Sequence, residues 1–253
     1  MHPALALLTA LLVSLPLAGK AACEVESGPG TTALIELYTS EGCSSCPPAD
    51  ARLSRLRPDQ SLVPLALHVG YWDDLGWRDP FAQEGFAKRQ SWLVGLGGAR
   101  TVYTPQFFIN GAATRPGSLA SQVERINAQP ARASLRLRAA LSEDGRLALD
   151  ARAASPLEDV LLVIAVAESG LSSDISAGEN RGRRLRHHHV VRAWLGPFPL
   201  KTGQLTLKRT LALAPSWRPD ALAVGAFVQD PRSGQVLQAV GADRCLTHQE
   251  VGS

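Results

Sequence analysis

The sequence predicts an α/β unit over residues 31–129 followed by an all-β, sandwich-like unit over residues 131–246. Three observations predict it. Two strand-length apolar runs, 33–38 and 62–69, flank a helical pattern that begins around Cys43-Ser44-Ser45-Cys46, the strand–helix–strand order of a parallel pair. Asn110-Gly111 then marks a tight hairpin. From about Arg132 the hydrophobic period changes to two, as half-buried strands require. Gln129-Pro130 marks the boundary.

Composition sets the outer limits. The chain has 253 residues, 45% hydrophobic and 19% charged, a folded protein rather than a disordered one. Ala4 to Ala18 is an apolar stretch broken by Ser14 and Pro16, too short to span a bilayer. It reads as a signal peptide over residues 1–21, with small residues Gly19 and Ala21 before the cut. The expected location is therefore periplasmic or secreted, with no stable membrane insertion after cleavage. Removing these residues takes away Lys20, so the formal charge falls from +3 by one, too balanced for a nucleic-acid partner. An exported chain keeps disulfides. Of Cys23, Cys43, Cys46 and Cys245, the local pair reads as the redox pair. That leaves Cys23 and Cys245 for a structural disulfide between the chain ends.

In the first unit, Ala33–Tyr38 is the opening strand, and a helix follows from about Ser44 to Leu56, stopped by Pro58. Cys43 falls at the expected helix start, where free N–H groups favour a thiolate and lower its pKa below about 8.5. Cys43 is the expected nucleophile and Cys46 the resolving thiol. Leu62–Val69 is the second strand, and a parallel pairing brings His68 and Tyr71 to the same end of the sheet as the cysteines. Trp72 and Trp77 lie in a polar loop with Asp73 and Asp74 and read as an exposed substrate surface. Asp79-Pro80 looks like a helix start, and Gly95-Leu96-Gly97-Gly98 its end. A strand around Gln106–Ile109 turns at Asn110-Gly111, and Ser118 opens a last helix carrying Leu119, Val123 and Ile126 on one face.

The second unit reads as seven strands near 134–139, 147–151, 160–167, 187–195, 204–213, 221–229 and 236–240. On a strand over 187–195, His187 and His189 share a face that His188 does not. Glu179, Asn180, His187 and His189 are candidates for a docking or ligand surface.

This order resembles the thioredoxin fold over about residues 31–129. The resemblance implies a cis Thr104–Pro105 bond against the disulfide, with the Thr104 backbone pairing to substrate. It also implies a buried acid on the first strand, Glu36, that relays a proton to or from Cys46. More closely, the chain resembles domain-of-unknown-function family 1223. The motifs that carry this are Glu36-Leu37-Tyr38-Thr39-Ser40-Glu41-Gly42-Cys43-Ser44-Ser45-Cys46-Pro47-Pro48, His68-Val69-Gly70-Tyr71-Trp72-Asp73, Leu75-Gly76-Trp77, Tyr103-Thr104-Pro105-Gln106, Gly178-Glu179-Asn180 and His189-Val190-Val191. This likeness implies a fold and no substrate.

The leading functional expectation is a periplasmic thiol–disulfide oxidoreductase acting on protein thiols or disulfides, with a redox partner protein and no cofactor. Two alternatives stand beside it. One is a soft-metal protein holding copper(I) through Cys43, Cys46 and His68. The other is a secreted scaffold with a merely structural disulfide. No dedicated metal site is assigned.

Overall fold

The computed structural model describes residues 22–243 and 246, apart from 60 and 143. The expected signal peptide, 1–21, and Cys245 lie outside the described residues, and so does the proposed Cys23–Cys245 bridge. The described strands are β1 (Ala22–Glu26), β2 (Ala33–Thr39), β3 (Leu62–His68), β4 (Gln106–Ile109), β5 (Ala112–Thr114), β6 (Ser134–Leu141) and β7 (Arg146–Ala154). They continue with β8 (Leu161–Glu168), β9 (Leu171–Asp174), β10 (Arg184–His187), β11 (Val190–Pro199), β12 (Gln204–Ala212), β13 (Leu222–Gln229) and β14 (Val236–Asp243). The helices are α1 (Pro47–Leu53), α2 (Glu84–Leu96) and α3 (Leu119–Asn127).

These strands form a mixed eight-stranded sheet in the order β14-β13-β8-β11-β3-β2-β4-β5, a four-stranded antiparallel sheet β1-β6-β7-β12, and the ribbon β10-β9. The expected α/β thioredoxin-like N-terminal domain, with a separate all-β unit behind it, is therefore corrected. The chain is 44% strand and 17% helix, and β2–β5 belong to the same sheet as β8, β11, β13 and β14. The physical reason is an open edge. β3 pairs with β2 along seven residues on one side, and its other side meets β11 at Val190↔Ala66, where the Ala66 N–H donates to the His189 carbonyl. Periodicity reports which face of a strand is apolar and is silent about what pairs with its edge.

Burial follows from this sheet. One face carries Leu34, Tyr38, Val63, Leu65 and Leu67 from the first half and Val163, Ala165 and Phe227 from the second, and α2 covers it with Phe86 and Leu93. The opposite face is divided. Ala33, Ile35, Leu37, Phe107 and Ile109 pack against α1 and α3. Farther along, Leu162, Ile164, Val166, Val224 and Ala226 pack against Leu135, Leu137, Leu147 and Leu149 of the four-stranded sheet. The alternation of 162, 164, 166 with 163 and 165 is the period-two pattern of a strand buried on both faces.

The expected strand over 187–195 is broken. His189 has φ 58°, so β10 ends at His187 and β11 begins at Val190. The shared-face reading of His187 and His189 does not apply across that kink. The Asn110-Gly111 hairpin forms between β4 and β5, with φ 45° and 85°. Asn110 also ties the hairpin to the sheet: its side-chain oxygen accepts the Leu34 N–H at 2.7 Å and its carbonyl accepts the Val236 N–H at 3.3 Å. A Cβ on Gly111 would overlap the Gly234 carbonyl. Gly111→Ala therefore combines positive-φ strain with a backbone clash and should cost roughly 2–4 kcal/mol. Urea unfolding of wild type and variant measures this; equal midpoints contradict it.

Candidate functional site: a buried polar network behind a Cys-Ser-Ser-Cys turn

β2 leads directly into the turn that holds the cysteines. Cys43 and Cys46 are joined in a disulfide and are only 1% and 0% exposed, whereas Ser44 and Ser45 between them face solvent. Pro47 and Pro48 occupy the first two helical positions, where a missing N–H leaves no bond unmade. The helix consequently starts after the second cysteine. Cys46, not Cys43, is the N-cap residue, and its carbonyl accepts the N–H groups of Ala49 and Asp50. This corrects the expected helix over 44–56. Ser45 Oγ lies 3.3 Å from Cys43 Sγ.

Gly42 is packed so tightly against Trp72 that a Cβ would come within 2.8 Å of the Trp72 Cβ. The Trp72 indole N–H donates to Thr104 Oγ1 at 2.8 Å, and the Thr104–Pro105 bond is cis. One side chain thus connects the cysteine turn with the Thr104-Pro105 loop. Trp77 donates its indole N–H to Glu41 Oε2 at 2.8 Å. Both tryptophans are half-buried, so the exposed surface expected of them is supplied instead by their neighbours. Tyr71 is 41% exposed, Leu75 49% and Tyr103 53%.

Behind the turn lies a buried polar network assembled from segments far apart in the sequence. Glu41 is fully buried, and its Oε1 faces His187 Nε2 at 2.8 Å. Asp79, expected as a helix cap, instead faces His68 Nδ1 at 2.7 Å and accepts the Glu41 and Phe81 N–H groups. Helix α2 starts five residues later, capped by Gln83. Burial works against a charged His68, but the Asp79 charge and hydrogen bond outweigh it and raise its pKa. Burial likewise raises Asp79, and His68 with the two N–H donors reverses the effect and lowers it. The two imidazoles stack edge-on, 5.1 Å between ring centres, against Phe81. Asp50 stands one turn into α1, its carboxylate accepting the Thr39 hydroxyl at 2.8 Å. Burial raises its pKa, partly offset by the charges of His68 and His187.

The second half of the chain closes over the turn. Asn180 is fully buried, and its side-chain amide donates to the Glu41 and Cys43 carbonyls at 2.8 and 3.0 Å. Arg183 holds the Asn180 side-chain oxygen. The Glu179 carboxylate accepts the Ser44 N–H at 2.9 Å, which keeps its pKa below the usual range. Of the four candidates for a docking surface, Glu179, Asn180 and His187 all converge on the cysteine turn. His189 goes elsewhere, its Nε2 bonding the Leu56 carbonyl at 3.0 Å.

Glu36 is placed differently from its expected role. Its face of β2 carries Leu34 and Tyr38 and is covered by α2, away from α1. Arg89 of α2 donates to both carboxylate oxygens, at 2.6 and 3.0 Å, and to Gln229 of β13. The guanidinium also lies over the rings of Trp194 and Phe227, 4.9 and 5.3 Å away. Glu36 is thus an anchor between the halves, and this placement does not support a proton relay to Cys46. Of Asp50, Glu41 and Asp79, the acids that do surround the turn, Glu41 lies within the motif that carries the cysteines, while Asp50 and Asp79 stand two residues beyond the motifs that end at Pro48 and Trp77.

Desolvation lowers the His189 pKa to about 4, against an ordinary value of 6.5. Between these values the unfolded chain binds a proton that the folded one refuses, so stability rises with pH across this window and falls on acidification. His68, shifted upward, adds stability below its ordinary value and loses it at higher pH, outside the window. At 1.36 kcal/mol per pH unit, His189 accounts for roughly 3 kcal/mol. His189→Asn keeps a side chain that tolerates positive φ. The stability difference between wild type and variant should shift by about that amount from pH 7 to pH 4 in urea titrations. A pH-independent difference contradicts the assignment.

Comparison with known proteins places this geometry in a family. No curated protein matches the chain. A crystal structure of a protein from Agrobacterium tumefaciens superposes with a TM-score of 0.64 at 21% identity, covering 90% of this chain and 100% of that one, a likeness of fold. The family described as "Protein of unknown function (DUF1223)" matches residues 34–229, from β2 through the cysteine turn and the Asn180 loop to the end of β13, and the chain belongs to that family.

Proposed function

We propose that this protein is a thiol–disulfide oxidoreductase acting on protein disulfides in a periplasmic or secreted setting. The observation that carries the reading is the disulfide between Cys43 and Cys46 at a strand-to-helix corner. A bridge between residues three apart closes a very short loop, and a disulfide restrains the unfolded chain less the shorter its loop. Its value to the fold is accordingly modest, and its place beside a hydroxyl, a histidine–carboxylate network and an exposed aromatic rim suits electron exchange. In the reduced protein the Cys43 thiolate attacks a substrate disulfide sulfur, the Ser45 hydroxyl donating to it. Cys46 then attacks Cys43, restoring the bridge and releasing the substrate as dithiol. Tyr71 and Tyr103, chain neighbours of Trp72 and Thr104, offer apolar surface to an unfolded polypeptide.

A second reading, the scaffold with a structural bridge, draws on the burial of Cys43 under the Asn180 loop. The oxidoreductase reading requires that loop to lift. The copper reading has less support: among the described residues no group of three His, Cys, Asp or Glu is arranged to hold a metal ion.

Insulin reduction with dithiothreitol as electron source separates the first two. Wild type should accelerate it, Cys43→Ser should abolish the acceleration, and Cys46→Ser should accumulate a mixed disulfide through Cys43. A reduction potential below about −300 mV, with Cys43 inert in the reduced protein, would favour the structural bridge.

A further inference from the structure

The carboxylates around the cysteine turn differ in how far they are already committed. Glu179 is exposed and is taken by the Ser44 N–H. Glu41 is shared between Trp77 and His187. Asp79 is taken by His68 and two backbone N–H groups. The Asp50 carboxylate has one hydrogen bond among the described residues, from the neutral Thr39 hydroxyl, and no ion pair.

Asp50 is also the acid one helical turn beyond the resolving cysteine. Its N–H donates to the Cys46 carbonyl at 3.1 Å, the four-residue step of an α-helix. Residues so spaced lie one above the other, with Cβ atoms about 5–6 Å apart. A carboxylate on that stem reaches a sulfur on the other directly or through one water. The environment suits a base: burial raises the Asp50 pKa, bringing it nearer to that of a thiol and improving the match for proton transfer. The groups that face it are His68 from β3, His187 from β10, Thr39 from β2 and Asp79 from the loop beyond β3.

We propose that Asp50 is the base that receives the Cys46 proton when Cys46 resolves a mixed disulfide on Cys43. The inference rests on the oxidoreductase reading above. In the step, the Cys46 S–H bond breaks and its proton passes to the Asp50 carboxylate. The resulting thiolate forms the Cys46–Cys43 bond as the Cys43–substrate S–S bond breaks, and the substrate sulfur departs with the electron pair as a thiolate. Two electrons have moved from the protein dithiol to the substrate disulfide, and Asp50 then gives its proton to solvent. In the reverse direction it returns a proton to the leaving Cys46.

A chromogenic aryl disulfide mixed with the reduced full-length protein reads the two steps apart. Attack by Cys43 releases one arylthiolate and resolution by Cys46 releases the second. Asp50→Asn should leave the first phase within about twofold and slow the second about 10²-fold near neutral pH. Its second phase should then follow the thiol alone, with an inflection near about pH 8.5. Thr39→Val removes a hydrogen bond that favours the carboxylate, so the wild-type acid inflection should move to higher pH with the base retained. An unchanged second phase in Asp50→Asn, or equal slowing of both phases, overturns the proposal. Should Asp50→Asn fail to fold, the wild-type profile decides: an acid inflection that Thr39→Val moves to higher pH supports the base, and the thiol inflection alone overturns it. Absence of the first phase in wild type, by contrast, defeats the oxidoreductase reading itself.

Discussion

Two carboxylate–imidazole pairs, Glu41–His187 and Asp79–His68, are sealed from water behind the cysteine turn, and the rest of the site is arranged around them. Removing such groups from water is expensive, and the attraction between partners offsets that cost only when geometry is good and the remaining hydrogen bonds are made. On the carboxylate side they are: Trp77 completes Glu41, and the N–H groups of Glu41 and Phe81 complete Asp79, whereas His68 Nε2 and His187 Nδ1 are buried without a partner among the described residues. A pair of this kind contributes little net stability compared with apolar packing, yet losing one partner strands the other charge. Its effect is to enforce one arrangement. The Glu41 backbone, two residues before Cys43, is held in place by Asp79 and Asn180, so the position of the sulfurs is set by polar groups drawn from both halves of the chain.

The same design recurs on the other face of the sheet. Glu36 of β2, Arg89 of α2 and Gln229 of β13 form a second buried connection, with Trp194 and Phe227 against the guanidinium. Both connections cross between sequence halves, and both use an acid from the stretch around β2. The eight-stranded sheet is thereby locked on each side of the β3–β11 junction, where strand pairing alone is slight. A cysteine pair at that junction is held by a rigid frame below and a loop, 178–183, above. The frame suits a precise sulfur geometry; the loop is bound through Asn180 and Glu179 to the turn itself.

Much of the local structure was legible in the sequence. The strands β2, β3 and β4, the Asn110-Gly111 hairpin and the α3 face follow from apolar runs and turn chemistry. Helix boundaries were less so. Asp79 resembles a helix cap by type and spacing, but a buried histidine competes for the same oxygen and wins. Pro47 and Pro48 have no N–H to give a helix begun at Ser44, so the start falls after Cys46. Glu36 and Asp50 are both acids near the cysteines in sequence; the pleat sends the first to α2 and Arg89, while the helical step puts the second over Cys46.

By itself the sequence determined the period of each element, the turn that brings two cysteines within bonding distance and the apolar face each strand must bury, because these depend on residues within a few positions of one another. Only the tertiary structure decided that the two halves share one sheet, that His187 and Asn180 meet Glu41 across about 140 residues, and that Arg89 claims Glu36. Strand edges and buried charges choose partners by proximity in space, and proximity between distant segments is a property of the whole packed chain.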